Sequence, residues 1–561
     1  MSRRLFSKAG QWDELRRTFR WNVPDRFNMA DALCDSWARR EPEREALRHL
    51  HPDGTAEVWT YRRLAEASTR FAHVLAASGV GKGDRVGVLL PQGPAVLVAD
   101  LAAWRLGAVA LPLFTLFGAE ALGYRLRDSG ARVVVTDDEN LDKVMALRPD
   151  LPMLRSVLTT GPARSGAAAL WDEIERASAA PVRADTRAED PAVLIYTSGT
   201  TGPPKGVLHA HRFLVGHLPS IELQHDFFPQ RGDRGWTPAD WAWIGGLMDM
   251  AVPCLYYGVP LVSRRFRKFD PEAAWDLIAR EGVRNLFLPP TALKLMRSVP
   301  VPEGVSVRSI ASGGESLGAE LLEWGRSALG VAINEIYGQT ECNLVIGTSA
   351  RAMDVRPGAM GKAVPGHDVA IIDEGGRPLP AGEVGEIAVR RGDPVMFLEY
   401  WQKPEATAQK FLGDWMRTGD LGRVDEDGYF TFVARADDVI TSAGYRIGPT
   451  EIEECLAGDP DVVMAAAVGV PDPVRTEVVH AFVVLREGAA WSEALEARLI
   501  ARVRARVSPH VAPRRITPLP GLPMTATGKI MRRALREGAT AGQAGDARPR
   551  TVSPTRRPIR R

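Results

Sequence analysis

The sequence predicts an α/β fold in which a large N-terminal domain built on parallel strands is followed by a small α+β domain. The chain has 561 residues, more than one hydrophobic core usually organises, and 45% of them are apolar. Short β-rich runs alternate with amphipathic helical stretches as far as about residue 435, a pattern typical of buried parallel strands between helices. The pattern changes near residue 437, which indicates a second domain.

The predicted strands of the first domain are short apolar runs that each border a helical stretch. They lie at residues 86–90, 133–136, 193–197, 285–288 and 309–311. Between residues 368 and 432, turns of Asp, Gly and Pro separate shorter strands, which predicts antiparallel hairpins. The first domain should therefore combine βαβ sandwich subdomains with a small antiparallel β-barrel.

The predicted second domain contains a helix near residues 449–456, apolar runs at 462–470 and 478–485, and a charged helix near 493–506. The tail is rich in Arg, Pro, Ala and Thr and is expected to be disordered. The resulting boundaries are an N-terminal extension at 1–29, an N-terminal domain at 30–435, a C-terminal domain at 438–537 and the tail at 538–561, with residues 436–437 joining the two domains.

The charge of the chain gives no reason to expect nucleic acid as a partner. The formal net charge is +2, but the tail holds six arginines against one acid, Asp546, which leaves the rest of the chain near −3. Such a balanced body lacks the basic surface that nucleic-acid binding needs.

The cysteines and the apolar segments predict a cytoplasmic protein without a membrane span. The first residues lack the apolar stretch of a signal peptide, and the apolar segment 95–117 is interrupted by Asp100 and Arg105. Nothing in the sequence separates a monomer from a homodimer. Four dispersed cysteines, none in a CxxC pair, are typical of a reducing compartment: Cys34, Cys254, Cys342 and Cys455.

The most informative motif is at residues 196–206, which read Tyr-Thr-Ser-Gly-Thr-Thr-Gly-Pro-Pro-Lys-Gly after an apolar strand and before a predicted helix at 211–218. Its glycines allow backbone N–H groups to approach phosphate oxygens, and Lys205 adds positive charge. A flexible linker would not end in a fixed lysine. The P-loop of ordinary NTPases requires Gly-Lys-Ser/Thr, whereas Lys205 stands between Pro204 and Gly206.

This run resembles the signature of the adenylate-forming superfamily of acyl-CoA synthetases, luciferases and peptide-synthetase adenylation domains. Further motifs of that family follow in order, so that the resemblance covers about residues 30–536. It implies that Glu341 holds Mg²⁺ and that Asp420 binds the ribose of ATP. The residues that it implies for ATP binding are Thr197, Ser198, Gly199, Thr200, Thr201, Gly202, Lys205, Gly313, Glu315, Glu335, Ile336, Tyr337, Gly338, Gln339, Thr340, Asp420, Arg435 and Lys529.

The family's catalytic and mobile residues also have counterparts here. The resemblance gives catalytic roles to Thr201, Glu341 and Lys529, since a lysine near the carboxylate and α-phosphate stabilises the charge that builds during attack. Asp437 matches the hinge about which the small domain rotates between the two half-reactions.

Within the superfamily, residues 435–451 and 471–478 look most like the medium-chain acyl-CoA synthetase and acetyl-CoA synthetase-like branch. That branch implies coenzyme A as the thiol substrate. Arg475 and Arg504 fall where the branch places basic groups near the coenzyme A phosphates. The remaining positions implied for coenzyme A are Ala443, Gly444, Tyr445 and Arg446.

Three segments depart from the family pattern. Ala434 replaces the usual glycine before Arg435, and residues 342–343 are Cys-Asn where a Thr/Ser-Gly pair is common. Residues 509–513, Pro-His-Val-Ala-Pro, replace a Tyr-Lys-containing loop. The last departure bears on Arg504, because that loop helps to define the nucleotide end of coenzyme A.

The acyl pocket is predicted to lie at Gly338 and Trp243. Acetate-specific relatives place a tryptophan at the position of Gly338, and removing an indole vacates room for several methylenes, each worth roughly 0.8 kcal/mol when buried. An acid longer than propionate is therefore expected, with one of Trp241 and Trp243 facing the pocket and the other packing in the core.

The sequence thus predicts an AMP-forming acyl-CoA synthetase that uses ATP, Mg²⁺, coenzyme A and a small carboxylic acid. An adenylating enzyme that loads a carrier protein is the strongest alternative, although no carrier domain is appended. A luciferase-like oxygenase would use the same adenylate, and a non-catalytic nucleotide-binding protein would keep the fold while losing Lys529, Glu341 or Asp420.

Overall fold

Two units, residues 1–432 and 433–561, make up the fold. The structure is a computed structural model. It describes residues 3–6, 10–164, 166–197, 203–315, 317–435, 438–442, 445–472, 475–525 and 530–546, and of residues 441, 445, 446 and 541–546 only the backbone.

Each predicted apolar run coincides with a strand of the structure to within a few residues. In the first unit they are β1 Glu45–Leu50, β2 Ala56–Thr60, β3 Arg85–Leu89, β4 Val109–Pro112, β5 Val133–Thr136, β6 Ser156–Thr159, β7 Ala168–Ala169, β8 Pro191–Thr197, β9 Lys205–Ala210, β10 Gly235–Trp236, β11 Leu261–Arg264, β12 Asn285–Phe287, β13 Ser309–Gly313, β14 Ile333–Gln339, β15 Asn343–Gly347, β16 Lys362–Ala363, β17 Val369–Ile372, β18 Gly385–Arg390, β19 Glu399–Tyr400, β20 Phe411–Leu412, β21 Trp415–Val424 and β22 Phe430–Arg435. The strands that follow are β23 Ile440–Ser442, β24 Tyr445–Ile447, β25 Val462–Asp472, β26 Thr476–Leu485 and β27 Arg515–Pro518.

Helices connect most of the parallel strands, as the alternating pattern predicts. In the first unit they are α1 Trp12–Thr18, α2 Ser36–Arg40, α3 Tyr61–Ala77, α4 Pro94–Arg105, α5 Ala119–Ser129, α6 Asp138–Leu147, α7 Leu170–Arg176, α8 Phe213–Gln224, α9 Ile244–Gly246, α10 Val252–Tyr257, α11 Pro271–Glu281, α12 Pro290–Arg297, α13 Ala319–Leu329 and α14 Pro404–Gln409. The second unit has α15 Pro449–Ala457, α16 Glu493–Arg506 and α17 Arg532–Asp546. Two π-helical turns occupy Asp31–Asp35 and Leu247–Ala251.

Two large mixed sheets position the site. One has the order β16-β15-β14-β13-β12-β10-β11-β1-β2 and the other β19-β9-β8-β4-β3-β5-β6-β7, with parallel pairing through their centres. The largest apolar cluster joins residues of both sheets to helices α3, α4 and α8. A five-stranded antiparallel sheet of β17, β18, β20, β21 and β22 is the predicted hairpin region.

The second unit is an α+β domain around a mixed sheet. Strands β24, β23, β26 and β25 pair antiparallel, and β27 joins β26 in parallel. Helices α15 and α16 pack on its apolar face through Ile452, Leu456, Leu495, Leu499 and Val503. The predicted helix at 493–506 has the bounds of α16.

Two expectations differ from the structure. A strand, β9, follows the glycine-rich motif, because residues 205–210 pair antiparallel with β8, and the helix begins only at Phe213. The tail was expected to be disordered from residue 538, but helix α17 continues to Asp546. It does so because Leu535 and Ala539 are buried on one face of the helix, against strands β25 and β26.

The apolar segment 95–117 forms the buried helix α4 and strand β4, and no helix among the described residues is long and apolar enough to cross a membrane. The guanidinium of Arg105 is compensated inside the fold, because its Nη1 donates to Oδ2 of Asp35 at 2.7 Å. Asp100 is different, since neither of its buried oxygens has a hydrogen bond in the described part of the chain. Burial raises the pKa of Asp100 to about 8.

Replacing Asp100 with asparagine is therefore expected to change how stability depends on pH. The unfolded carboxyl titrates near 3.8 and the folded one near 8, so ionisation costs the wild type stability progressively between these pH values. Asparagine cannot ionise. The melting temperature of the variant minus that of the wild type should rise from pH 5 to pH 9 in thermal unfolding. Asp172→Asn, at an exposed carboxylate, should give a flat difference.

Candidate active site

The ends of the predicted phosphate loop are held by the β8–β9 hairpin. Thr197 pairs with Lys205 across the hairpin, and its hydroxyl donates to the carbonyl of Lys205 at 3.4 Å. The hydroxyl of Tyr124 donates to the carbonyl of Pro204 at 3.0 Å. The predicted roles of Ser198, Gly199, Thr200, Thr201 and Gly202 stay predictions, because these residues lie outside the described ones.

The Gly313-Gly314-Glu315 segment ends strand β13 where it borders β14. A side chain at residue 313 would place its Cβ 2.5 Å from the carbonyl oxygen of Ile336, so the two strands can approach only because residue 313 is glycine. Gly314 has φ +97°, which a side chain would strain. The segment is thus a fixed rim of the sheet beside residues 335–339.

Asp420 joins two motifs that lie far apart in the sequence. Its Oδ2 accepts hydrogen bonds from the hydroxyl of Tyr337 and from Nε2 of Gln339, both at 2.7 Å. Gln339 also donates to the carbonyl of Thr418 at 2.8 Å. The side chain that the resemblance assigns to ribose is therefore buried and oriented by the segment assigned to adenine.

Glu341 lies just beyond strand β14 and is buried. The hydroxyl of Tyr400 donates a short hydrogen bond to Oε1 of Glu341. Nζ of Lys205 lies 5.0 Å from the centre of the Tyr400 ring. Burial opposes ionisation of Glu341, but the charge of Lys410 and the Tyr400 hydrogen bond outweigh it and lower the pKa. Glu341 is thus a fixed, ionised carboxylate near Lys205 of the glycine-rich motif.

Comparison with models of known families shows which family contains this chain. Residues 34–401 match the model of an AMP-binding enzyme, and residues 451–529 match the AMP-binding enzyme C-terminal domain. This chain belongs to the AMP-binding enzyme family. The predicted family and fold class are confirmed, and the chain is an acid–thiol ligase.

The similar proteins include several coenzyme A ligases, and the similarity extends over nearly the whole length of each chain. An acetyl-coenzyme A synthetase of Bacillus subtilis (strain 168) is 33% identical over 95% of this chain and 94% of its own. A mitochondrial acyl-coenzyme A synthetase of Homo sapiens is 33% identical over 93% of this chain and 92% of its own. Among solved structures, an anthranilate CoA ligase in complex with anthranoyl-AMP has a TM-score of 0.85 at 28% identity, covering 93% of this chain and 99% of that one.

The AMP-binding enzyme departs from its family at residues 342–343, and the backbone explains how. Asn343 has φ +42°, the left-handed region in which glycine is commonest and asparagine is next best tolerated. Its amide is bound inside the fold, because Nδ2 lies 2.5 Å from Nδ1 of His217. Asparagine therefore fits a backbone conformation that suits glycine, and it adds a buried polar side chain. At a second departure, Ala434 is fully buried.

Gly338 does not open a pocket in the way the sequence suggests. A Cβ at residue 338 would lie 1.1 Å from the carbonyl oxygen of Asn343, where a β-bulge shifts the pairing of β14 with β15. The reasoning that a missing side chain leaves empty space there is wrong, because the backbone of the next strand occupies that space.

Gly338→Ala is accordingly expected to destabilise the AMP-binding enzyme. The added methyl must displace backbone, which costs about 1–3 kcal/mol in overpacked sites, and it should also lower activity because Tyr337 and Gln339 flank it. Thermal unfolding and pyrophosphate release measure the two effects. Gly318→Ala is the matched control, since nothing lies within 4 Å of a Cβ there. Wild-type stability in Gly338→Ala would contradict the backbone contact.

Of the two tryptophans considered for the acyl pocket, Trp241 is the buried one, and Trp243 is partly exposed. The ring of Trp243 lies 3.5 Å from the Cβ position of Gly314 and has its centre 5.6 Å from that of Phe287. Trp243 therefore borders the rim formed by the Gly-Gly-Glu segment, and its role as a pocket wall stays a prediction.

The second unit contains the positions expected to bind coenzyme A. Tyr445 and Arg446 start strand β24, which pairs with β23, and Arg504 is exposed near the end of α16. The backbone N–H of Arg475 donates to Oδ1 of Asp472 at 2.9 Å. Arg435 ends strand β22. Asp437, Ala443, Gly444 and Lys529 lie outside the described residues.

Sequence reasoning missed two residues of the site. Tyr400 binds Glu341, and Lys410 lies 3.2 Å from Oε1 of Gln339 and 3.3 Å from the carbonyl of Thr418. Tyr400 ends strand β19, and Lys410 lies between helix α14 and strand β20. Their contacts depend on tertiary structure, so no local pattern in residues 398–412 could have revealed them.

Proposed function

We propose that this AMP-binding enzyme converts a carboxylic acid longer than propionate, a medium-chain fatty acid, to its coenzyme A thioester through an acyl-adenylate. The observation that carries the proposal is the convergence of Tyr337 and Gln339 on Asp420, with the ionised Glu341 two residues after Gln339. That arrangement offers a hydroxyl-binding carboxylate for ribose and a separate carboxylate for the phosphate region of ATP.

Glu341 fits a magnesium ion that arrives with the nucleotide. Mg²⁺ commonly takes one or two protein carboxylates and completes its shell with phosphate oxygens and water. The described residues contain no group of three or more His, Cys, Asp or Glu side chains suited to a metal. When bound, the ion would neutralise charge on the triphosphate.

In the proposed first step, the carboxylate of the acid attacks the α-phosphorus of ATP, and pyrophosphate leaves. Lys205 and the hydroxyls of residues 197–201 bind the triphosphate, while Lys529 stabilises the negative charge that develops at the reacting phosphoryl group. Asp420 holds the ribose, and Arg435 contributes near the ribose and phosphate. Gly313, Glu315 and residues 335–340 form the adenine site.

In the proposed second step, the thiolate of coenzyme A attacks the acyl carbon, and AMP leaves. Rotation of the second unit about Asp437 replaces Lys529 with the segment 443–446, which lies beside the pantetheine. Arg475 and Arg504 bind phosphates of coenzyme A. No enzyme nucleophile is needed, which agrees with the burial of Cys34, Cys254 and Cys342.

The structural support for an acid longer than propionate is the ring of Trp243, a partly exposed apolar surface beside Gly314. The similar enzymes include both an acetyl- and several acyl-coenzyme A synthetases. We also propose a place in cytoplasmic fatty acid metabolism, in line with the free cysteines.

The experiment that tests the proposal is pyrophosphate release with Mg·ATP and acids from two to twelve carbons plus benzoate, each with and without coenzyme A. Turnover that requires coenzyme A and is fastest for acids of four to ten carbons is expected. The highest kcat/KM with acetate would overturn the chain length. Adenylation without coenzyme A turnover would favour the carrier-protein alternative, and no pyrophosphate with any acid would favour a non-catalytic nucleotide-binding protein.

A further inference from the structure

A buried polar cluster lies beside the residues that are proposed to bind the acyl part. It consists of His217 on α8, Asp249 in the π-helical turn Leu247–Ala251 and Asn343 at the start of β15. Their exposed fractions are 0%, 3% and 3%. Residues on either side of them in the sequence belong to the largest apolar cluster of the protein, and the ring of Phe213 has its centre 6.0 Å from that of His217.

The distances within the cluster are consistent with one hydrogen-bonding arrangement. Nε2 of His217 lies 3.1 Å from Oδ1 of Asp249, and Nδ1 lies 2.5 Å from Nδ2 of Asn343. An imidazole with its proton on Nε2 satisfies both contacts, because it donates to the carboxylate and accepts from the amide. Nδ2 of Asn343 also lies 3.4 Å from Oδ1 of Asp249.

Two acceptors of the cluster stay unused. In the described ranges of the chain, neither Oδ2 of Asp249 nor Oδ1 of Asn343 accepts a hydrogen bond. Both oxygens belong to side chains that are only 3% exposed, and an acceptor with little access to water is stabilised by a donor. Two such oxygens on neighbouring side chains therefore suit a donor that arrives with a ligand.

The cluster borders the residues assigned to the acid. The carbonyl of Asn343 occupies the Cβ position of Gly338, and Asn343 is two residues from Glu341. Asp249 belongs to the continuous helical segment that begins directly after Trp243. The cluster thus lies next to both positions that the sequence names for the acyl pocket: residue 338, and the helical segment that follows Trp243.

We propose that the Asp249–His217–Asn343 cluster recognises a hydrogen-bond donor on the acyl part, so that the preferred substrate is an acid bearing a hydroxyl or amino group. This inference rests on the proposed function and narrows its substrate class. A hydroxyl or amino group would donate to the free oxygens of Asp249 and Asn343. A methyl group in the same place would leave both without a partner, which is how a polar site rejects an apolar isostere.

The test compares pairs of acids that have nearly the same shape. Suitable pairs are 6-hydroxyhexanoate with heptanoate, 4-hydroxybenzoate with 4-methylbenzoate, and 2-aminobenzoate with 2-methylbenzoate, each assayed by pyrophosphate release with coenzyme A. In the wild type, the polar member of at least one pair should exceed its partner in kcat/KM by about tenfold or more. The measured quantity is the ratio within a pair, which a general loss of activity does not change.

Two variants of the cluster should reduce that ratio to about one. Asp249→Leu removes the carboxylate, and Asn343→Gly removes the amide while keeping a residue that suits φ +42°. Ser220→Ala is the matched control, because Ser220 is buried on the helix that carries His217 and, among the described residues, its hydroxyl donates only to the carbonyl of Leu344. A purely structural cluster would lower both members of a pair equally in both variants, and that result would overturn the inference.

The wild-type measurements separate this inference from the proposed function. Faster turnover of the apolar member in every pair would overturn the polar substrate class and leave the acyl-CoA synthetase activity intact. Absence of pyrophosphate release with all six acids, and with the plain acids of two to twelve carbons, would overturn the proposed function itself.

Discussion

Glu341→Gln is expected to lower pyrophosphate release by about 100-fold or more, because a neutral amide replaces the ionised carboxylate proposed to hold the magnesium ion of Mg·ATP. The fold should survive, since the carbonyl oxygen of glutamine can still accept the hydroxyl of Tyr400. The measurements are the initial rate against magnesium concentration and the thermal shift caused by Mg·ATP. Both should show weaker binding of the metal–nucleotide complex.

Glu399→Gln is the matched control for this substitution. Glu399 is an exposed carboxylate that precedes Tyr400 in strand β19, and it has no place in the proposed site. It should leave the rate within twofold of the wild type. If Glu341→Gln also kept most of its activity at low magnesium, the assignment of the metal ligand would be wrong.

The second large effect is expected for Lys529→Ala. Loss of the ammonium should slow adenylation by about 10²- to 10³-fold, the range found when one donor to a developing charge is removed. Thioester formation from a synthetic acyl-adenylate and coenzyme A should stay within about threefold of the wild type, because Lys529 has no role in the proposed second step. Quenched-flow or coupled assays of the two half-reactions make this comparison.

Arg533→Ala is the control for Lys529→Ala. Arg533 is an exposed cation on α17 that pairs with Glu537 at 2.8 Å, and it lies close to residue 529 in sequence. Both half-reactions should be unaffected. Equal losses in the two half-reactions of Lys529→Ala would argue against the proposed exchange of residues 529 and 443–446.

Much of the fold could be predicted because strands β5, β12 and β13 and helix α16 are marked by local patterns. Buried parallel strands appear in the sequence as short continuous apolar runs. The flanking helices are longer and show apolar residues with a helical period. Strand β9 was missed because residues 205–210 follow a glycine-rich motif and read as the approach to a helix. Only the pairing with β8 reveals them as a strand.

The site shows where local patterns stop being informative. Motifs around Tyr337, Glu341 and Asp420 were visible in the sequence, but the hydrogen bonds that join them through Gln339 depend on the meeting of two sheets. Gly338 is the sharpest case. From the sequence its missing side chain indicates free volume, whereas in the fold it permits a backbone contact. The identity of one residue does not distinguish free volume from a close backbone contact.

That contact between Gly338 and Asn343 has a consequence for evolution and for engineering. A tryptophan at residue 338, as in acetate-specific relatives, cannot be accommodated while the carbonyl of Asn343 holds its place, so the substitution is harmful by itself. It becomes tolerable only after the turn at 342–343 has been rebuilt. A library that varies residue 338 alone would therefore sample destabilised proteins, and the effect of any side chain at this position depends on the residues at 342–343.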